Sequence, residues 1–238
     1  MKRIIRNMMQ YFGFEIRRYS VEKSDKARLA AMLHEHDIDV VLDVGANVGL
    51  YGELLRDCGY KGRIVAFEPL SDAHKKLLKR ASSDVLWDVA PRGAIGDKDG
   101  ELEINIASNS TSSSLLPMLG SHVDAAPHSK YLSVEKTPVR TLDSVVQKYL
   151  QQDSKLFLKI DTQGYESQVL NGAVDTINKA TGVQLEISLV PLYDGQDLYF
   201  EMIDRMKSFG FVIWGISTVL INTRTGRLLQ IDAIFFRD

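Results

Sequence analysis

Val40-Val41-Leu42-Asp43-Val44-Gly45-Ala46-Asn47-Val48-Gly49 is the stretch that decides the fold. An apolar run broken once, by Asp43, reads as a buried strand, and Gly45 and Gly49 turn the chain into a following helix. A second apolar run, Arg63-Ile64-Val65-Ala66-Phe67, ends in Glu68-Pro69. A strand, a Gly-x-x-x-Gly turn, a helix and a second strand ending in an acid together predict a nucleotide-cofactor site. Glycine lets the backbone approach a ligand closely, and the acid accepts hydrogen bonds from ribose hydroxyls.

The residue pattern narrows the cofactor. A dinucleotide fingerprint uses Gly-x-Gly-x-x-Gly to seat a pyrophosphate on a helix N-terminus. Here only Gly45 and Gly49 are present, and Asp43 stands just before the turn. A carboxylate there repels a pyrophosphate and suits a ligand carrying positive charge. S-adenosylmethionine has an ammonium, a sulfonium and no phosphate. Asp43 is expected to meet its amino-acid part, directly or through water, and Glu68 its ribose hydroxyls. The competing reading is a turn of the same kind that binds another nucleotide or none.

Composition sets the bounds. The 238 residues are 45% hydrophobic and 25% charged, ordinary for a single α/β domain. A net charge of −2 gives no global field toward nucleic acid. Cys58 is the only cysteine, which excludes an intramolecular disulfide and a cysteine metal cluster. It falls in the first helix after the glycine turn and reads as a buried core thiol. No run approaches the roughly 20 apolar residues that span a bilayer. Residues 1–20 carry Lys2, Arg3, Arg6, Arg17 and Arg18 among Ile4, Ile5, Met8, Met9, Phe12 and Phe14. Two readings stand: a helix on a membrane surface, or one packed on the domain or on the mate in a homodimer. No secretory pattern is visible, so a cytoplasmic location is expected.

Along the chain, strands near 39–44, 63–68, 85–89, 156–160, 183–188, 211–216 and 230–236 alternate with helices near 48–58, 71–81, 141–150, 165–180 and 197–209. That alternation predicts an α/β sheet, mostly parallel, with helices on both faces. The last two strands have no helix between them, and Asn222-Thr-Arg-Thr-Gly226 reads as the turn of an antiparallel pair. Residues 1–37 form a helical extension with a helix over 24–36, and 38–238 form the domain. Glu101 to Ala107 alternates polar and apolar residues and predicts an extra strand. The segment 108–137, rich in serine and carrying His122 and His128, reads as a lid or acceptor loop.

Phe157-Leu-Lys159-Ile-Asp161-Thr-Gln-Gly164-Tyr-Glu166 is the second informative stretch. Lys159 and Asp161 share one side of a strand and fall at its C-terminal end, where open α/β sheets bind ligands. Gly164 permits a sharp turn, and Glu166 starts a helix. Gln184 and Glu186 share a face of the next strand, which places Glu186 near Asp161. Two close carboxylates favour a general base or a divalent ion. Such an ion needs about three oxygen ligands, and only these two are evident. The bland alternatives are an ion pair within Lys159-Ile-Asp161 and a Glu186–Lys159 pair. Asn109-Ser-Thr-Ser-Ser-Ser114 reads equally as a hydroxyl- or carboxylate-binding segment and as a linker. Trp87 and Trp214 read as core.

Taken together these segments resemble the FkbM family of S-adenosylmethionine-dependent methyltransferases. The likeness rests on Leu42–Tyr51, Val65–Pro69, Val139–Asp143 and Leu158–Glu166, with Gly93–Asp97 and Val183–Ser188 in support, and covers roughly 38–216. It implies a class I methyltransferase sheet of seven strands with the last antiparallel. It also implies O-methylation of a hydroxyl on a small molecule, a saccharide or glycosylated metabolite; the net charge, separately, predicts no nucleic-acid partner. By the resemblance, Asp43, Gly45, Asn47 and Glu68 are cofactor positions, together with Gly49, Pro69 and Asp161, and Ala94 lies by the adenine. For catalysis Asp161 is the first expected base or acceptor-orienting group, with Lys159 lowering the pKa of the hydroxyl. Glu186 is a second candidate, and His122 and His128 act only if their loop closes. Three competing readings remain. A nucleic-acid methyltransferase would present a basic face. A non-catalytic scaffold would bind cofactor without turnover. A dehydrogenase would need the missing third glycine.

Overall fold

All five residues of Val40–Val44 are buried, so this strand, β1, forms the middle of a sheet rather than an edge. The structure is a computed structural model, and it describes residues 8–14 and 18–237. In chain order the elements begin with α1 (Asp25–Glu35), β1, α2 (Leu50–Asp57), β2 (Arg63–Phe67), α3 (Ser71–Ala81) and β3 (Trp87–Val89). Next come β4 (Ala94–Ile95), β5 (Gly100–Ala107), α4 (Gly120–Ala125), β6 (Tyr131–Arg140) and α5 (Leu142–Val145). The rest are β7 (Leu156–Ile160), α6 (Glu166–Asn171), α7 (Val174–Lys179), β8 (Gly182–Ser188), α8 (Tyr199–Ser208), β9 (Phe211–Ile221) and β10 (Leu228–Arg237).

Seven strands form the main sheet in the order β3-β2-β1-β7-β8-β10-β9. All neighbours are parallel except that β10 runs antiparallel to β8 and β9. The strand order reverses between β1 and β7, and open sheets of this kind bind ligands at such a switch point. The expected α/β architecture, with helices on both faces and an antiparallel last strand, is therefore observed. Alternating side chains divide the core in two. Leu42, Leu158 and Val183 face α6, α7 and α8, while Val41, Phe157 and Phe236 face α1, α2 and α3. Trp87 packs in the second of these layers, as expected, but Trp214 lies on the edge strand and is 42% exposed. Cys58 is only half-buried, at the C-terminal end of α2 and not in the core.

Three local differences have physical causes. First, the expected loop over 108–137 ends early, because Tyr131–Arg140 is a ten-residue strand. Ser133, Lys136 and Pro138 disguise it, and most of its residues are exposed. It forms through pairing, antiparallel to β5 and parallel to β4, in a second three-stranded sheet. Its Glu135 carboxylate accepts the Ser71 N–H at 3.3 Å and pairs with Arg92 at 2.8 Å. The acid at the start of α3 thus comes from a distant strand. Secondly, the helix expected over 165–180 breaks into α6 and α7 at Gly172-Ala173. A Cβ on Gly172 would stand 1.9 Å from the Gly96 carbonyl oxygen, so close approach to the β4 region demands glycine. Thirdly, the helix expected over 141–150 is short, continuing as a 3-10 turn over Val146–Tyr149.

Ser24 caps α1 as the sequence suggests, accepting the Ala27 N–H at 3.3 Å. Within the extension, residues 8–11 are helical and Met8, Tyr11, Phe12 and Phe14 are exposed. The parts of the 1–20 reading that fall on residues 1–7 and 15–17 lie outside the described residues. No helix among the described residues is long and apolar enough to cross a membrane.

Leu158 is fully buried at the centre of the sheet. Leu158→Ala is expected to cost about 3 kcal/mol of folding stability, read as a lower urea midpoint with an unchanged m-value.

Candidate active site

Strand register assembles the site. The parallel pairing of β1 with β7 sets Asp43 directly beside Lys159, and that of β7 with β8 sets Lys159 beside Gln184. One step toward the C-terminal edge, Glu186 lies opposite Asp232 of β10. Asp43 has no exposed surface, Lys159 and Gln184 are 5% exposed and Glu186 6%. These are charged and amide groups inside a dry sheet, so each needs partners.

Lys159 supplies the positive centre. Its Nζ lies 2.9 Å from Asp43 Oδ1 and 3.5 Å from Asp161 Oδ2, over the Tyr51 ring at 5.2 Å. It also donates to the Gly45 carbonyl at 3.4 Å. Burial alone would lower the Lys159 pKa, but Asp43 and Asp161 outweigh it and raise it, so the ammonium stays charged. The Asp43 carboxyl is pushed up by burial and pulled back by Lys159. The 2.9 Å contact is close but poorly aligned, and neither Asp43 oxygen makes a formal hydrogen bond. Tyr51 donates its hydroxyl to Gln184 at 2.8 Å, closing this layer from the α2 side.

The turn after β7 is braced from within. Gln163 and Gly164 both adopt left-handed backbone, at φ 55° and 95°. Glu166 Oε1 accepts the N–H groups of Thr162 at 2.8 Å and Gly164 at 3.1 Å. Glu166 therefore folds the loop rather than merely opening a helix. Its pKa is pushed up to about 7 by burial, against the pull of those N–H groups. Glu186 is linked to Asp161 through the Gln163 amide, whose Nε2 lies 2.8 Å from Asp161 Oδ1 and 2.6 Å from Glu186 Oε2. Burial, then Asp161, Glu166 and Asp232, raise the Glu186 carboxyl well above its ordinary range. Burial and Asp161 push Asp232 up to about 6.

Above this layer a cleft opens at the switch point. Phe67, Leu70, Ile95 and Ile104 give it apolar walls, and Asn47, Glu68, Ser110, Thr111, Ser113 and Asp161 bring polar groups. Glu68 ends β2 with one oxygen on the Asn47 N–H at 2.7 Å and the other on the Leu70 N–H at 2.8 Å. Each oxygen keeps a further lone pair, which suits two vicinal hydroxyls. Burial pushes its pKa up to about 7 despite those N–H groups. Gly45, at φ 81°, is squeezed by the chain itself: a Cβ there would stand 1.8 Å from the Asp161 carbonyl oxygen.

Of the cofactor positions expected from sequence, Gly45, Asn47, Glu68, Pro69, Ala94 and Asp161 line the cleft. Asp43 and Gly49 do not. Asp43 lies behind the wall, and Gly49 packs against Leu77 and Trp87, where a Cβ would come within 2.8 Å. Of the catalytic candidates Asp161 alone lines the cleft, while Lys159 and Glu186 sit beneath it. His122 is buried against Tyr193, ring centroids 5.1 Å apart, and His128 is exposed on the surface. Ser110, Thr111 and Ser113, from the segment read equally as a binding stretch or a linker, line the cleft, whereas Gln163 and Tyr193 escaped the sequence reading as site residues. Gln163 carries a signal, since a polar residue before a turn glycine is a left-handed candidate. Tyr193 carries none. Among the described residues no group of three or more His, Cys, Asp and Glu is placed to hold a metal ion.

The sequence matches the methyltransferase FkbM domain over residues 43–213, from β1 into β9. The chain belongs to the FkbM methyltransferase family. This FkbM protein is thus an S-adenosylmethionine-dependent methyltransferase, and its cleft fits that cofactor. The free lone pairs of Glu68 and the apolar wall suit such a ligand. Among solved structures, an uncharacterized protein from Listeria monocytogenes serotype 4b is 8% identical, with a TM-score of 0.50, 90% of this chain and 68% of that one covered. An rRNA methylase from Streptococcus thermophilus is 11% identical, with a TM-score of 0.47 and coverage of 90% and 97%. Fibrillarin from Aeropyrum pernix, with natively bound S-adenosyl-L-methionine, is 12% identical, with a TM-score of 0.45 and coverage of 82% and 66%. At these identities the likeness is one of fold. No curated protein matches the chain.

Two outcomes follow from this geometry. Lys159→Met strands the buried Asp43 and is expected to cost about 3–5 kcal/mol, whereas adding Asp43→Asn recovers much of the loss. Denaturant midpoints across the double-mutant cycle measure this coupling. Glu68 sets a pH dependence. Between its ordinary 4.5 and about 7 the folded chain keeps a proton that the unfolded chain has released. Its contribution to stability therefore falls as pH rises through that window. Hydroxyl donors favour the ionised carboxylate, so S-adenosylmethionine affinity is expected to rise from pH 6 to pH 8. Calorimetric titrations should show this slope flattened in Glu68→Gln.

Proposed function

We propose that this FkbM methyltransferase moves the methyl group to a hydroxyl of a small molecule, a saccharide or glycosylated metabolite. The observation that carries the reading is Asp161. It is the carboxylate at the mouth of the buried charge layer, with its side chain 33% exposed. One of its oxygens faces Lys159 and the other the Gln163 amide.

The bound cofactor supplies an electrophilic methyl carbon on a positive sulfur, which is already a good leaving group. The chain then has two tasks: to align an acceptor oxygen and to take its proton. Asp161 accepts that proton or orients the hydroxyl. Lys159, being buried, reaches the reaction through its ion pair with Asp161 rather than by touching the acceptor. Glu186 sits one hydrogen bond further back, across Gln163. Asn47, Ser110 and Thr111 offer hydroxyl and amide partners of the kind a polyhydroxylated acceptor needs. Glu68 and Asn47 hold the ribose side of the cofactor, and Ala94 lies on the adenine side.

A nucleic-acid acceptor is the second reading, since an rRNA methylase shares the fold. The acidic groups at the cleft and the net charge of −2 weigh against it, because phosphate backbones are held by positive surface. Asp161→Asn is the decisive variant. With labelled S-adenosylmethionine and a panel of saccharides, turnover should fall by about a hundredfold or more, while cofactor affinity stays within a few-fold. Full turnover in that variant would remove Asp161 from the chemistry. Methylation of RNA alone would replace the acceptor class.

A further inference from the structure

Asp161 is pinned through a residue that no reading so far gives a task. Gln163 donates both amide hydrogens of its Nε2, to Asp161 Oδ1 at 2.8 Å and to Glu186 Oε2 at 2.6 Å. Its Oε1 accepts the Tyr193 hydroxyl at 2.8 Å. With Nε2 given to the two carboxylates, Oε1 is left to accept the Tyr193 proton, and the three contacts together set which way round the amide lies. Tyr193 is 1% exposed, and its ring packs under Gly164, where a Cβ would stand 2.9 Å away. The Gln163 backbone is held as well: its carbonyl accepts the Ser114 hydroxyl at 2.6 Å, and its φ of 55° is a conformation that non-glycine residues hold only when their surroundings impose it. A neutral amide is well suited to this place. It can donate to two carboxylates at once without adding charge to a layer that already holds Asp43, Asp161, Glu186 and Asp232 around the single Lys159.

We infer that Gln163 is a positioning residue: braced by Tyr193, it holds the Asp161 side chain turned toward the methyl-transfer cleft and keeps Glu186 from approaching it directly. The inference rests on the reading of Asp161 as the acceptor-facing group. The charged and titratable groups around Asp161 are Lys159 on its own strand, Asp43 on β1, Glu166 on α6, Glu186 on β8, Asp232 on β10 and Tyr193 from the loop after β8. Against this fixed background, removing one hydrogen bond to an ionised carboxylate makes protonation easier.

The test needs no acceptor. Protein labelled with ¹³C at aspartate carboxyl carbons is titrated in the presence of S-adenosylmethionine, the Asp161 signal being identified by its loss in Asp161→Asn. In Gln163→Leu the Asp161 midpoint is expected to rise by about one pH unit, cofactor affinity being measured alongside it. In Tyr193→Phe, which keeps the ring and removes the donor, it should move the same way by less. If Gln163→Leu does not fold, Tyr193→Phe carries the test. An unmoved midpoint in a folded variant, or a loss of stability and cofactor affinity without a shift, would overturn the inference. The two readings fail separately. Full turnover in Asp161→Asn would sink the chemistry assigned to Asp161 and leave the midpoint shift standing. A dead Asp161→Asn with an unmoved midpoint in Gln163→Leu would do the reverse.

Discussion

The ion pair between Asp43 and Lys159 is the constraint on which the rest of the site depends. Two opposite charges lie in register on adjacent parallel strands whose other residues are apolar. Neither can be moved by one residue without reversing its face, so the register of β1 on β7 is strongly specified. That register brings Gly45 against Asp161, with no room for a side chain between them. It also points Asp161 out of the sheet where the cleft begins. The charged pair thus acts less as a source of stability than as a fixed mark that aligns the turn after β1 with the turn after β7.

Much of this was legible in the chain. Leu42-Asp-Val-Gly and Ile64-Val-Ala-Phe-Glu show their places because an acid is unusual in or directly after an apolar strand. Lys159 and Asp161 reveal themselves in the same way. Strand periodicity also gave the sheet order its parallel character and the final antiparallel pair. Depth was harder to read. Whether Asp43 faces a ligand or a lysine depends on which strand lies beside it, and spacing within one strand carries no record of its neighbour. Glu166 looked like a helix-dipole acid, and only the fold of the turn shows it accepting Thr162 and Gly164. Tyr193, from a loop thirty positions beyond Gln163, was invisible for the same reason.

The second sheet shows how an element can exist without a local signature. Tyr131–Arg140 is mostly exposed, mixed in composition and interrupted by Pro138, and it is a strand because β5 offers it a complete ladder. Its carboxylate at Glu135 then reaches α3, so this small sheet is tied to the main one by charge as well as by chain. Between its two long strands lies the serine-rich segment, and its tip supplies one wall of the cleft.

The attachment of that tip has a kinetic consequence. Ser110 is joined to the cofactor turn by one hydrogen bond, from its hydroxyl to Asn47 Oδ1 at 3.0 Å. Four residues on, Ser114 is fastened on both sides, to Gln163 and, through its backbone, to Asn105. A single bond of that kind contributes only about 1 kcal/mol. The fastening of Ser110 to the Asn47 turn is therefore expected to open and close faster than that of Ser114 to the turn after β7, so the two ends of one short loop differ in how quickly they move.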